Sequence, residues 1–202
     1  MESGKKSLYS LLSTHNMRII SGTYRGRVLK SPSGNKTRPT SDRLRETLFN
    51  ILQTKIDSET RFLDLCAGTG AIGIEAISRG AKFAAFVDKS RRACALIEEN
   101  LDLLDVPEDK TEVFQSSAED FLRRLNEKTE SWDIVFFDPP YYENYTKVLQ
   151  YLGQNESSLL SSEGVLIAEH HSKNILPDEV GELRRWRLLK QGETHLSFYE
   201  RS

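Results

Sequence analysis

Asp138-Pro139-Pro140-Tyr141 ends one apolar run, and Asp64-Leu65-Cys66-Ala67-Gly68-Thr69-Gly70 ends an earlier one. In the first, two prolines stiffen the exit from a strand and fix where the Asp138 side chain and the neighbouring carbonyl oxygens point. An exocyclic amine on a nucleobase presents two N–H donors. Asp138 and the Pro139 carbonyl can accept them while Tyr141 stacks on the ring. That arrangement orients a nitrogen for attack, which makes Asp138 a positioning acceptor rather than a full general base.

The glycine turn supplies the other half of a transfer reaction. Gly68 and Gly70 let a ligand approach the backbone where a helix begins and offers free N–H groups. Asp88 stands eighteen residues beyond Gly70, at the end of the next strand, where a carboxylate can accept ribose hydroxyls. Gly68-Thr69-Gly70-Ala71-Ile72-Gly73 matches a dinucleotide spacing, yet Asp64 immediately before the turn would repel a pyrophosphate. A carboxylate there suits the positive sulfonium and amino groups of S-adenosylmethionine. Fastening the loop is a second job that Asp64 can do.

Elements that would position these groups follow from periodicity. From Arg61 the chain alternates strand and helix: strands at Arg61 to Leu65, Phe83 to Val87, Thr111 to Phe114, Trp132 to Phe137 and Gly164 to Glu169, with helices at Gly70 to Arg79, Ser90 to Leu103, Ala118 to Leu125 and Tyr145 to Leu152. Such alternation predicts a parallel sheet with right-handed crossovers and ligands at the C-terminal strand ends. Leu183 to Lys190 and Thr194 to Tyr199 flank Gln191-Gly192-Glu193 and predict a closing antiparallel hairpin. Upstream, Thr40 or Ser41 caps a helix running to Gln53. Met17 to Ser21 and Arg27 to Lys30 predict a small arginine-rich hairpin.

These segments divide the chain into a loosely held N-terminus over residues 1–16, a basic hairpin and loop over 17–36, and an α/β domain over 37–202. Net charge is −2, but residues 1–45 carry +8 and the remainder −10. A polyanion can bind where the cations collect. Arg38, Arg43 and Arg45 crowd a helix start, where cations oppose the helix dipole, so an anionic partner is expected near them. Cys66 and Cys94 form no CxxC pair and read as packing residues in a reducing compartment. His170 and His171 read as rim or surface residues, as do His15 and His195; Tyr142, Asn144 and Tyr145 extend a polar aromatic rim. The apolar runs are too short to span a bilayer, the address expected is cytoplasmic, and no apolar stripe demands a dimer.

Several stretches in order, Met17-Arg18-Ile19-Ile20-Ser21-Gly22, Gly26-Arg27, Thr37-Arg38-Pro39-Thr40-Ser41-Asp42-Arg43-Leu44-Arg45-Glu46, the block from Leu63 to Ala81 and Asp138-Pro139-Pro140-Tyr141, resemble the bacterial RsmD family of 16S ribosomal RNA (guanine-N2)-methyltransferases. The resemblance covers most of residues 17 to 200. It implies a class I methyltransferase fold: a Rossmann-like, mostly parallel seven-stranded sheet ending in an antiparallel hairpin, with a small N-terminal β-hairpin extension. It implies S-adenosylmethionine as cofactor, no metal, and an assembled small ribosomal subunit or advanced assembly intermediate as substrate, acted on by a monomer.

Carried onto this chain, the resemblance puts cofactor contacts on Asp64, Cys66, Ala67, Gly68 and Gly70, on Asp88 with Lys89, on Ser117 with Ala118, and on Asp138. Catalytic contacts fall on Asp138, Pro139 and Tyr141, and RNA contacts on Arg18, Arg25, Arg27, Lys30, Arg38 and Arg43. Cys66 stands where the family often has phenylalanine, and Ser117 where many methyltransferases present an acid or amide to adenine. Competing readings are an N6-adenine methyltransferase acting on DNA, a protein glutamine methyltransferase, and a non-enzymatic ribosome-assembly binder.

Overall fold

Five strands with apolar interiors pair in parallel: β1 (Arg61–Leu65), β2 (Phe83–Asp88), β3 (Thr111–Gln115), β4 (Trp132–Phe137) and β5 (Leu160–His171). The computed structural model describes residues 17–32, 41–125, 131–140, 145–154 and 159–202. Three further strands, β6 (Glu179–Val180), β7 (Leu183–Gln191) and β8 (Thr194–Arg201), complete an eight-stranded sheet of order β3-β2-β1-β4-β5-β8-β7-β6. β8 is antiparallel to both β5 and β7. Seven strands were expected; the eighth is the two-residue β6, too short to carry a period of its own.

The helices α1 (Asp42–Ile51), α2 (Ala71–Ser78), α3 (Arg91–Leu103), α4 (Ala118–Arg124) and α5 (Tyr145–Gly153) cover the sheet. One core holds Leu48 and Phe49 from α1, Ile74 from α2 and Ile97 from α3 against Phe62, Phe86, Phe136 and Ile167. The opposite core holds Phe121 from α4 and Leu149 and Leu152 from α5 against Leu63, Phe137, Leu166 and Tyr199. Alternate residues of each strand go to opposite cores, which is why the strands read as nearly continuous apolar runs. Ser41, Ser90 and Ser117 cap α1, α3 and α4, each accepting a backbone N–H from the first turn.

Residues 17–32 form the small hairpin expected, with Arg18 bridged antiparallel to Val28 and three backbone bonds between its arms, Leu29 N–H to the Met17 carbonyl, Ile19 N–H to Arg27 and Gly26 N–H to Ile19. Toward its turn the backbone donors of Ile20, Ser21, Thr23 and Tyr24 are bonded outside it. Ile20 and Ser21 donate their N–H groups to the buried Glu75 carboxylate of α2 at 2.7 and 3.0 Å. Thr23 N–H reaches the Ser78 carbonyl at 2.8 Å. Gly22 turns at φ +82°, where a Cβ would lie 1.7 Å from that carbonyl oxygen. At the other end, buried Asn100 of α3 accepts from Lys30 N–H at 2.8 Å and donates to the carbonyls of Lys30 and Thr69. The segment is thus clamped between α2 and α3.

Candidate active site

The pairings Leu65↔Val87 and Leu65↔Phe137 bring the C-terminal ends of β1, β2 and β4 level. Cys66, Asp88 and Asp138 therefore leave the sheet at one edge. They border a cavity of about 1120 Å³, which extends from Gly68, Asp88 and Ser116 at one end to Asp138, Pro139 and Pro140 at the other. Met17, Lys30, Ser31 and Pro32 from the clamped N-terminal segment line another part of it.

At the first end the turn is built by hydrogen bonds that the side chains direct. Gly68 N–H donates to Asp88 Oδ2 at 3.0 Å and Ser90 N–H to Oδ1 at 2.8 Å, so Asp88 ties the glycine turn to the end of β2. Gly70 starts α2 at φ +76°, with a Cβ there forced to 3.2 Å from Ile97. Cys66, half-buried at φ +64°, is a non-glycine residue in the left-handed region, a conformation that costs energy and clusters at binding sites. Asp64 is buried and accepts from Gly73 N–H at 3.0 Å. Burial pushes its pKa up to about 7, against the Gly73 hydrogen bond and with help from Asp88.

Asp138 follows β4 with its N–H on the Leu65 carbonyl at 3.3 Å. Its pKa is held well above the carboxylate range by burial, then by the nearby charges of Glu169 and Asp64. The register explains this trio: Asp64 pairs with Phe136 and Phe137 with Ala168, so Asp64, Asp138 and Glu169 all project from one face of three adjacent strands. All three line the cavity.

Among the expected cofactor residues, Asp64, Cys66, Ala67, Gly68, Asp88, Lys89, Ser117, Ala118 and Asp138 line the cavity. Gly70 lies beneath the turn, donating its N–H to the Ala67 carbonyl. The Ser117 hydroxyl is committed to capping α4, accepting from Asp120 N–H and donating to its carboxylate. Ser116, one residue earlier, keeps a buried hydroxyl with no partner among the described residues at the cavity wall. Tyr141 and Arg38 lie outside the described residues, as do Tyr142, Asn144 and His15.

Arg18, Arg25, Arg27, Lys30 and Arg43 are exposed. Arg18 pairs with Asp42 at 3.3 Å and Lys30 with Glu99 at 2.9 Å. Arg27 Nη2 donates to the Leu103 carbonyl at the end of α3 at 2.7 Å. Arg45 departs from the expected basic surface cluster. It is buried, with Nη2 bonded to the Arg18 carbonyl and Asp42 carboxylate while Nε and Nη1 have no partner among the described residues, and its side chain borders the cavity.

Two further expectations are corrected. Tyr145 is buried, its ring edge-on to Phe137 and His170, rather than part of a rim. His170 is likewise buried, Nε2 bonded to Ser197 Oγ at 2.9 Å, and burial lowers its pKa. It is covered because β8 pairs His195 against it across the sheet. Ser116, Glu169 and Arg45 are among the polar cavity residues that the expected site left out. Glu169 had a signal in its place at a strand end and Arg45 in the cation cluster at a helix start; Ser116 had none beyond adjacency to the Ser117 cap.

A family described as Conserved hypothetical protein 95 matches residues 17–200. The chain belongs to this family. It is 34% identical over 185 residues to the ribosomal RNA small subunit methyltransferase D of Escherichia coli, covering 92% of this chain and 90% of that one. The protein of the same name from Haemophilus influenzae is 32% identical over 183 residues, covering 91% of each. A solved Escherichia coli structure, the yhhF protein with a methyltransferase designation, has a TM-score of 0.79 at 34% identity, covering 93% of this chain and 98% of its own. The chain is a methyltransferase, and its fold is that of the S-adenosylmethionine-dependent enzymes. The family's bounds begin at Met17, so the clamped segment belongs to the shared architecture.

Proposed function

We propose that this protein transfers a methyl group from S-adenosylmethionine to the exocyclic N2 of a guanine in 16S rRNA, within a small ribosomal subunit or late assembly intermediate. The observation that carries the reading is the single cavity joining the glycine turn to the acidic proline exit. The relatives' names supply the class of RNA.

The cavity's donor set fits the cofactor. Asp88 keeps unused lone pairs at the end of β2 for ribose hydroxyls, the orphaned Ser116 hydroxyl suits a purine amine, and buried Asp64 with Asp138 gives a negative field for a cation. The two Arg45 nitrogens without partners among the described residues suit a carboxylate. When bound, S-adenosylmethionine supplies an electrophilic methyl group on a positive sulfur. Asp138 and the Pro139 carbonyl accept the two amine N–H groups and hold the nitrogen toward it. Asp138, with its raised proton affinity, is placed to receive the proton that the substituted nitrogen sheds.

In this reading residues 17–36 handle RNA, with Arg18, Arg25, Arg27, Lys30, Arg38 and Arg43 meeting phosphate, Tyr141 stacks on the base, and residues 37–202 perform the transfer. The protein acts as a cytoplasmic monomer. Among the described residues no helix is long and apolar enough to cross a membrane. Incubation with small-subunit particles and tritiated S-adenosylmethionine, followed by nucleoside analysis, tests the proposal. N2-methylguanosine is expected. N6-methyladenosine would replace guanine with adenine, and tight particle binding without incorporation would make the protein an assembly binder.

A further inference from the structure

We infer that Glu169 reads the target base: it accepts the ring N1–H of guanine beside the exocyclic amine held by Asp138, and so selects guanine over adenine. The inference rests on the proposed amino-group transfer and adds the residue that sets its base specificity.

The placement comes from the sheet. Phe137 and Ala168 are the last described partners of β4 with β5, so Asp138 and Glu169 are the next residues out on neighbouring parallel strands. Their side chains leave the same face, into the same cavity. Neighbouring strands lie about 4.8 Å apart, a spacing that lets two acceptors flank one edge of a purine. Glu169 is 8% exposed, and its charge is the strongest felt by Asp138. Two buried carboxylates side by side repel each other unless donors or cations come between them. A substrate edge with two adjacent donors offers one to each carboxylate.

The Watson–Crick edges of the two purines differ at this point. Guanine presents N1–H and the N2 amine as adjacent donors. Adenine presents its N6 amine beside N1 as a bare acceptor. Asp138 alone can hold either amine, which is why the Asp138 to Tyr141 motif by itself leaves the base open. A second carboxylate gains a charge-assisted hydrogen bond from guanine N1–H but faces the adenine N1 lone pair. Sites built to pair a buried polar group reject a ligand that leaves it unpaired far more strongly than apolar pockets reject a change of size.

2-Aminopurine probes this contact, because it keeps the N2 amine and lacks the N1–H together with O6, and the Glu169 variant separates the two losses. Once the modified position is mapped, small subunits are reconstituted with guanine or 2-aminopurine at that nucleotide, and kcat/KM is measured for each. The wild-type enzyme is expected to prefer guanine by roughly 10²-fold or more. In Glu169→Gln the amide can donate to the 2-aminopurine N1, so the preference collapses toward unity, with guanine turnover reduced and S-adenosylmethionine affinity within a few-fold of wild type. An unchanged guanine to 2-aminopurine ratio in the variant, with or without a fall in both rates, overturns the inference. So does a wild-type enzyme that methylates the two bases equally well, a result that needs no variant. Failure of the underlying reading is separate, since it would appear as a wild-type product other than N2-methylguanosine.

Discussion

Asp64 and Asp138 show how one residue type serves two roles on neighbouring strands of one cavity. Both are buried carboxylates in a field of other carboxylates, and both bind protons more tightly than a solvated aspartate. For Asp138, replacement by Ala removes the acceptor from the amine while leaving Asp64, the glycine turn and Asp88 in place for the cofactor. Methyl transfer should fall by about 10²- to 10⁴-fold, with S-adenosylmethionine affinity changed only a few-fold by calorimetry. For Asp64, the ordinary value is 3.8 and the folded value about 7. Between those values the folded protein holds a proton that the unfolded chain has released, so this group's contribution to stability falls as pH rises through the window and is flat above it. Asp64→Asn keeps an oxygen for Gly73 N–H and has no charge to bury. Its unfolding free energy without cofactor should gain on wild type from pH 4 to pH 7 and level beyond, measured by urea titration across pH. Its cofactor affinity should fall, because the cationic ligand prefers the ionised wild-type carboxylate. Ser116→Ala is expected to weaken cofactor binding by roughly 5- to 10-fold, the loss of one hydrogen bond, without lowering the melting temperature.

The N-terminal segment is the element whose anchoring is least legible in its own sequence. Alternating polar and apolar residues around Gly22 and Gly26 suit a hairpin, and its arms do pair as far as Ile19 and Gly26, while Glu75 and Ser78 take the donors of Ile20, Ser21, Thr23 and Tyr24 toward the turn. Nothing in the local sequence announces partners more than fifty residues away. Gly22 is the point where that clamp is closest to α2. Gly22→Ala adds a Cβ against backbone at a positive φ, and should cost about 2–4 kcal/mol in chemical denaturation. The same element is a wall of the cavity through Met17 and Lys30, so cofactor affinity should fall with it. β5 departs in a milder way. Its expected start at Gly164 moves back to Leu160, across a register irregularity opposite Trp132 and Ile134. Ser161, Ser162 and Glu163 lack strand character and have no partner on β4; they lie in the irregularity, extended between the Leu160 and Val165 pairings.

Across the whole molecule, charge is segregated rather than balanced. The cations of residues 1–45 oppose an acidic remainder, and the clamp holds exposed Arg18, Arg25 and Lys30 on the same segment that borders the cavity. Arg25→Ala is expected to weaken small-subunit binding most at low salt and to reduce the slope of log affinity against log salt by about one. Filter binding at several ionic strengths measures this; an unchanged slope would take Arg25 off the RNA surface. Arg27 is a poorer probe, since its guanidinium also closes the C-terminal end of α3.

The amino-acid sequence by itself determined the order of strands and helices, the limits of β1 and β4, and the two motifs at strand ends. These depend on periodicity and on glycine and proline, whose backbone effects are local. Which residues surround the reacting atoms was decided by tertiary structure. Glu169 comes beside Asp138 through the register of β4 with β5, Arg45 is buried by α1 packing on the sheet, and His170 is covered by β8. Each of those positions depends on contacts between residues far apart in the chain, and burial and pKa follow from the neighbours that fold brings together.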